Sequence, residues 1–431
     1  MLPGSIEIFC IFFRKAIYVS THSEKHLDET LREEVVEHRA VEDSRRIEPA
    51  DVLNPFPRYR KMREEHPVNY NEEEKLWVVF RYDDVLRIVN DYNTFSSERV
   101  FARRRQDEQL TEEEREAARS LLSTDPPRHK QLRNLISQAF TPRSIAQLTP
   151  RITEIVNERL DLVIDQGRMD VVSDLSYPLP VIVISEMLGI PTSDRDQFKR
   201  WSDAIVSPHE EEAIQASREM RSYFKGIIDQ RRKQPKNDLI SDLIASQIDG
   251  QHLTEPELLS FCILLLVAGN ETTTNLIGNA FLCFDEQPEV MDQMRADQSL
   301  IPLAIEEVLR YRSPVQLLVR AVAKDTQIGD QAIQAGEVVV PCLGSANRDE
   351  AQFPHSDVFD ISRTPNRHVA FGHGIHFCIG APLARIETKI ALTIMLERLT
   401  NIRRVREIEL EPIKSTFVYG VKHLPVTFKR A

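Results

Sequence analysis

Cys378 sits in the run Phe371-Gly372-His373-Gly374-Ile375-His376-Phe377-Cys378-Ile379-Gly380, which holds three of the chain's 14 glycines. A lone cysteine is most often a small buried hydrophobe. This one stands just before a helical run, Ala381 to Leu399, where the helix dipole and free N–H groups favour thiolate over thiol. A thiolate in a loop shaped by glycine serves either as a nucleophile or as a metal ligand. The first role needs a His base and an orienting group in space, and His373 and His376 are close in sequence. On the residues alone both readings stay open.

A second unusual block is Ala268-Gly269-Asn270-Glu271-Thr272-Thr273-Thr274-Asn275, set inside an apolar stretch. Thr254-Glu255-Pro256-Glu257 has the pattern of a capping box, and the helix it opens is expected to run to about Asp285. At ~1.5 Å per residue such a helix is roughly 48 Å long, enough to cross a domain. Gly and Thr are mediocre helix formers, and a buried carboxylate destabilises unless it has partners. Any one Thr hydroxyl can bond back to a carbonyl one turn earlier; a whole block of this kind points to a site.

The elements that must carry these residues are mostly helical. Of 431 residues, 41% are hydrophobic and 28% charged, an ordinary globular balance. Scarce glycine argues against a turn-rich all-β chain. Helical stretches are expected at His129–Phe140, 145–166, 180–188, 193–206, 210–233 and 238–248, with a strand at 76–80 after a turn at 70–72, and short β segments over 315–340. The fold class is therefore mainly α with a minor β part. Residues 1–48, crowded with charge, read as a poorly ordered extension, and 49–431 as a single domain; the charge-dense stretch 99–119 reads as a solvated helix and loop. A net charge of −12 makes nucleic acid a poor partner. Five scattered cysteines give neither a disulfide framework nor a metal knuckle, which implies a reducing, cytoplasmic setting. The apolar runs 6–13 and 261–268 fall short of the ~20 residues of a membrane span.

Phe371-x-x-Gly374-x-x-x-Cys378-x-Gly380 resembles the haem-binding loop of cytochrome P-450 monooxygenases, Ala268-Gly269-x-Glu271-Thr272 their oxygen-activating helix, and Glu307-Val308-Leu309-Arg310 their Glu-x-x-Arg helix. The three occur in that family's order and spacing, and the likeness runs from about Asn54 to the C-terminus, nearer the soluble bacterial branch. The resemblance implies a triangular helical prism with haem b held between the long oxygen-binding helix and the Cys-loop helix. Cys378 would be the axial thiolate of the iron, with Phe371, Gly372 and Gly380 around it and Ala268 leaving room for O2. Glu271 and Thr272 would deliver protons. His129, Arg133, Arg320, His368 and, less directly, His376 would meet the haem propionates. Glu307, Arg310 and Arg363 would form a structural ion-pair triad.

No dinucleotide fingerprint follows a strand, so the electrons are expected from an external ferredoxin or flavodoxin with its reductase. Arg128, Lys130 and Arg385 are candidate docking cations. The substrate is expected to be a hydrophobic small molecule (fatty acid, terpenoid or steroid-like), lined by Leu265, Val267, Ala268, Val315 to Leu318, Val100, Phe101 and Thr416 to Val418. The competing readings are a peroxide-driven peroxygenase, favoured less because of the Glu271-Thr272 pair, a non-catalytic haem-thiolate sensor, and a cysteine hydrolase without a chromophore.

Overall fold

The computed structural model describes residues 52–100 and 120–431, apart from 195, 196, 199, 202, 203, 205–209, 248, 249, 251, 414 and 416. The expected tail 1–48, nearly all of the charge-dense stretch, Phe101 and Thr416 therefore lie outside the described residues.

One helix organises the molecule. Glu255–Glu286, the long helix, begins at Thr254, whose side chain accepts from the Glu257 N–H while the Glu257 carboxylate accepts from the Thr254 N–H. Its length and hydropathy would suffice to cross a bilayer, so the expectation that no segment is long enough is corrected: the apolar run continues past the polar block. As 72% of its most apolar window is buried in protein, it is a core helix. The helices Pro178–Met187 and Ala381–Arg398 (the cysteine helix) pack on it, as does a π-helical turn, Val171–Ser176. Gly269 allows the first of these approaches. A Cβ there would come within 2.4 Å of Ile184 Cδ1.

The long helix stays unbroken through its polar block because that block finds partners. Thr272 Oγ1 donates to Ala268 O at 2.8 Å, the back-bond anticipated for a single Thr. Thr274 Oγ1 reaches across to Ser176 O at 3.1 Å, and Asn275 Nδ2 donates to Glu271 O at 2.7 Å. Asn279 Nδ2 ties the helix to the carbonyls of Arg312 and Tyr419 at 3.0 and 3.2 Å.

The β part is small. In chain order the strands are β1 (Val68–Asn71), β2 (Leu76–Val79), β3 (Phe95–Ser96), β4 (Arg168–Asp170), β5 (Arg320–Val322), β6 (Thr326–Ile328), β7 (Gln331–Ile333), β8 (Val338–Pro341), β9 (Leu399–Arg404) and β10 (Pro425–Arg430). They form sheets ordered β1-β2-β8-β5-β3, β4-β10-β9 and β6-β7. Among the described strands only β2 and β8 pair in parallel. The hairpin turn falls at 72–75, not at 70–72: Tyr70 and Asn71 close β1, and Asn71 Oδ1 accepts from the Glu73 N–H at 3.0 Å to start the turn. A second apolar core, built on Val79, Phe95, Val322 and Val339, lies under the five-stranded sheet.

Candidate functional site

The cysteine loop is held at both ends. The Cys378 N–H donates to Phe371 O at 2.9 Å, and the Gly372 N–H donates to Val369 O at 2.9 Å. Gly372 and Gly374 take φ of +68° and +66°, which a side chain would resist. Gly374 also lies against Val89 and Asn90, where a Cβ would meet Val89 O at 3.1 Å. Gly380 caps the cysteine helix at an ordinary φ, and a Cβ there would stand 3.9 Å from Cys378 Sγ, a normal contact. Phe371 packs edge-on to Phe377 and under the Arg385 guanidinium, 4.5 Å from its ring centre.

Cys378 is exposed, whereas Cys262, Cys283 and Cys342 are buried. Desolvation by the surrounding protein nevertheless pushes the thiol up from its ordinary value, and the Gly380 and Ala381 N–H groups, Arg133 and Arg385 pull it only partly back. The helix-terminus argument for a free thiolate is thus overridden by desolvation; a coordinated metal would deprotonate the sulfur outright. The hydrolase reading loses its base. Among the described residues neither histidine bonds the sulfur: His373 Nδ1 turns to Asn90 Oδ1 at 2.6 Å, and both His376 nitrogens lack hydrogen-bond partners.

Beside the loop lies a group of cationic and imidazole side chains short of acceptors. Arg133, from the helix Arg128–Ser137, donates to Phe377 O at 2.7 Å. His129, one turn earlier, meets His376 at a tilt of 60° with ring centres 4.3 Å apart, and its Nε2 is buried without a partner. Burial, with His376 and Arg133 nearby, lowers His129 to about 4. Arg320 is buried on β5, its hydrogen bond going to Val319 O at 2.8 Å, and burial brings it down to about 10. Asp125 is the nearest acid, 3.9 Å from His376 Nε2, but its carboxylate is engaged by Ser96 and by the Ser97 N–H. Buried donors without acceptors are costly, and two carboxylates would satisfy them. The donor set therefore fits a haem with its propionates. His368 differs from the expectation: its Nε2 lies 3.0 Å from Glu306 Oε2, and its Nδ1 accepts from the Ala370 N–H.

Glu306 was missed in the sequence because it reads as the solvated neighbour of Glu307. It also receives Arg385 at 2.6 and 2.8 Å. Burial works upward on its carboxyl, but the hydrogen bonds from Arg385 and His368 outweigh it and hold the group at about 2. Arg128 likewise forks onto Glu257 at 2.6 and 2.7 Å. Two of the three expected docking cations are therefore neutralised inside the molecule, which removes the main support for that patch.

Below the loop, Glu307 and Arg310, on the helix Ile301–Tyr311, are fully buried and doubly bonded at 2.7 and 2.8 Å. Arg363 Nε reaches Glu307 Oε1 at 3.3 Å, and Asn366 Nδ2 reaches Oε2 at 3.0 Å. Arg310 spends its remaining donors on the carbonyls of Asn347, Ser356 and Val358, pinning the strand-free segment that leads into the cysteine loop.

On the long helix, Ala268 is exposed although its neighbours Val267 and Asn270 are buried, while Leu264 and Thr272 are half-buried. These three recur every four residues and so share one face. Leu265 and Val267, named from the sequence as pocket residues, point into the main core, while Gln316, also named, is buried against Gly344, its Nε2 donating to Ser313 O at 2.6 Å. The apolar half of the helix gave no marker for its phase. Ala268 did, being the small residue in a run of large ones.

Comparison with known proteins came to one answer. The family model described as Cytochrome P450 matches residues 181–423. The chain is 42% identical to a putative cytochrome P450, YjiB, of Bacillus subtilis, over 87% of this chain and 94% of that one. It is 40% identical to the cytochrome P450 monooxygenase PikC of Streptomyces venezuelae, over 88% and 92%. Among solved structures it is similar to CYP109E1 from Bacillus megaterium in complex with testosterone, with a TM-score of 0.78, 44% identity, and coverage of 87% of this chain and 99% of that one.

Proposed function

The chain belongs to the cytochrome P450 family of haem b monooxygenases, and within it we propose an enzyme that inserts one oxygen atom of O2 into a steroid-like, terpenoid or fatty-acid substrate. Its electrons would come from an external ferredoxin or flavodoxin with a reductase. Bound haem would supply O2 activation, which a coordinating cysteine thiolate would favour. Everything else falls to the chain.

Cys378 is the ligand in this reading, with Phe371, Gly372 and Gly380 shaping its surroundings. Arg320, His129, Arg133 and His376 receive the propionates. His368 takes part through Glu306 and Arg385, whose guanidinium covers Phe371 of the loop. Thr272 Oγ1 gives its proton to Ala268 O in the resting arrangement and keeps lone pairs free to accept another. Rotation of that hydroxyl delivers a proton outward, and the Glu271 carboxyl one residue earlier replenishes it. Glu307, Arg310 and Arg363 serve folding and haem retention. The haem domain is taken as 49–431, with 1–48 an appendage.

The observation that carries the substrate class is the open stripe Leu264–Ala268–Thr272, apolar except at the proton-bearing end. The testosterone seated in the similar CYP109E1 structure supports the steroid member of that class. A cytoplasmic setting is supported by Cys262, Cys283 and Cys342, whose buried thiols are each pushed up to about 12 and form no disulfide among the described residues.

Titration of the haem-loaded protein with testosterone, palmitic acid and a monoterpene alcohol tests this directly. At least one should give a saturable low-to-high-spin shift and, with ferredoxin, reductase and NADPH, a product heavier by one oxygen. Turnover as fast with hydrogen peroxide alone would favour the peroxygenase reading. No shift and no product across the set would remove the substrate assignment.

A further inference from the structure

We propose that a second cavity, lined by none of the residues assigned to haem, is a binding site for an organic phosphate. It has a volume of about 860 Å³ and lies where Leu53 and Asn54 meet the C-terminal ends of the long helix and of the helix Ile301–Tyr311. That volume falls within the ~300–1,000 Å³ typical of small-molecule sites.

Its charge is the first argument. Arg60, Arg312, Arg348, Arg404 and Arg406 line the cavity against Asp285, Glu286 and Asp357, an excess of two positive charges in a chain whose net charge is −12. Each of the three acids is already taken. Asp285 holds Arg404 and Arg406 at 3.2 and 3.1 Å, Glu286 holds Arg312, and Asp357 holds Arg60. The dianion of a phosphate monoester matches the excess.

A guanidinium buried except at its free nitrogen adds to this charge. Arg348, with only 4% of its side chain exposed, lies between the rings of Phe56 and Tyr311, 3.9 and 3.4 Å from their centres. Its Nε donates to Tyr311 O at 2.8 Å, and its Nη1 is 3.5 Å from Asp357 Oδ1, at the limit of a hydrogen bond. No described residue accepts from its Nη2. Burial lowers Arg348 to about 10, as for a cation short of negative charge. Arg312 adds a buried Nε without a partner. Planar guanidinium forks suit phosphate oxygens, while Phe56, Leu282 and Leu410 offer apolar surface for the organic part.

Phenyl phosphate, titrated calorimetrically into the full-length haem-loaded protein, is the probe, with benzyl alcohol as its neutral counterpart. One-to-one saturable binding is expected for the phosphate and none for the alcohol. Arg406→Gln, at a mostly exposed position, should weaken binding at least fivefold, and Arg348→Gln at least tenfold. Both should leave the carbon monoxide spectrum and the substrate-induced spin shift unchanged. If Arg348→Gln does not fold, Arg406→Gln carries the test. No saturable binding, equal binding of the alcohol, unchanged affinity in the folded variants, or displacement of phenyl phosphate by a spin-shifting substrate would each overturn the proposal.

Discussion

The polar residues of the long helix separate by what their hydroxyls reach. Thr274 spends its hydroxyl on Ser176 and Asn270, deep in the core, and is structural. Among the described residues Thr272 bonds only within its own helix, on the open stripe, which is why the proposed proton relay runs through it. Thr272→Ala should keep haem and fold while most reductant consumed appears as hydrogen peroxide instead of product; coupling within twofold of the parent would contradict the relay. The Glu307–Arg310 pair makes a prediction of the opposite kind. Removing one partner of a fully buried pair costs about 3 to 5 kcal/mol, so Glu307→Gln should show a large fall in denaturation midpoint and loss of haem on purification. A midpoint close to the parent's would mean that Arg363 and the carbonyls suffice without it. From the sequence, Glu-x-x-Arg is indistinguishable from a solvated pair worth a few tenths of a kcal/mol; only the three-dimensional fold buries it.

At the scale of elements, the long helix was legible because its start is written in one local pattern. The Thr254 side chain and the Glu257 carboxylate bond each other's backbone N–H as the sequence pattern requires. Thr254→Ala should lower stability by about 1 kcal/mol, read by chemical denaturation. A larger loss would show that Glu257, released from the cap, also gives up Arg128. The glycines and cysteine of the loop were legible for the same local reason. The open face of the long helix was marked in the sequence by Ala268 alone, since Leu264, Leu265 and Val267 are equivalent as letters, and packing against Ile184 and the cysteine helix fixes the rotation. His368 and Arg385 were misplaced on similar grounds: their partner, Glu306, lies on a helix more than 60 residues away.

For the molecule as a whole, ion pairs join distant segments, Glu306 to His368 and Arg385 beside the cysteine loop and Glu350 to Arg60 and Arg63 elsewhere, and they set its response to acid. Glu306 and Glu350 are each held at about 2, below the usual carboxylate value, because hydrogen bonds from their arginine and histidine partners outweigh burial. A depressed carboxyl stabilises the fold fully above its unfolded value of ~4.3 and loses that contribution as pH falls towards 2. Thermal midpoints should therefore decline from about pH 4.5 downward, and Glu306→Gln should flatten the decline while lowering the midpoint at neutral pH. An unchanged slope would mean that Glu306 is equally depressed in the unfolded chain.

All of these roles converge on one sulfur and the haem it is proposed to hold. The most direct measurement is the carbon monoxide difference spectrum of the reduced full-length protein, taken beside Cys378→Ser. The account predicts the red-shifted band of a haem-thiolate in the parent and its loss in the variant, with haem still bound through the propionate contacts. A parent without that band, or a variant that keeps it, would contradict the assignment of Cys378.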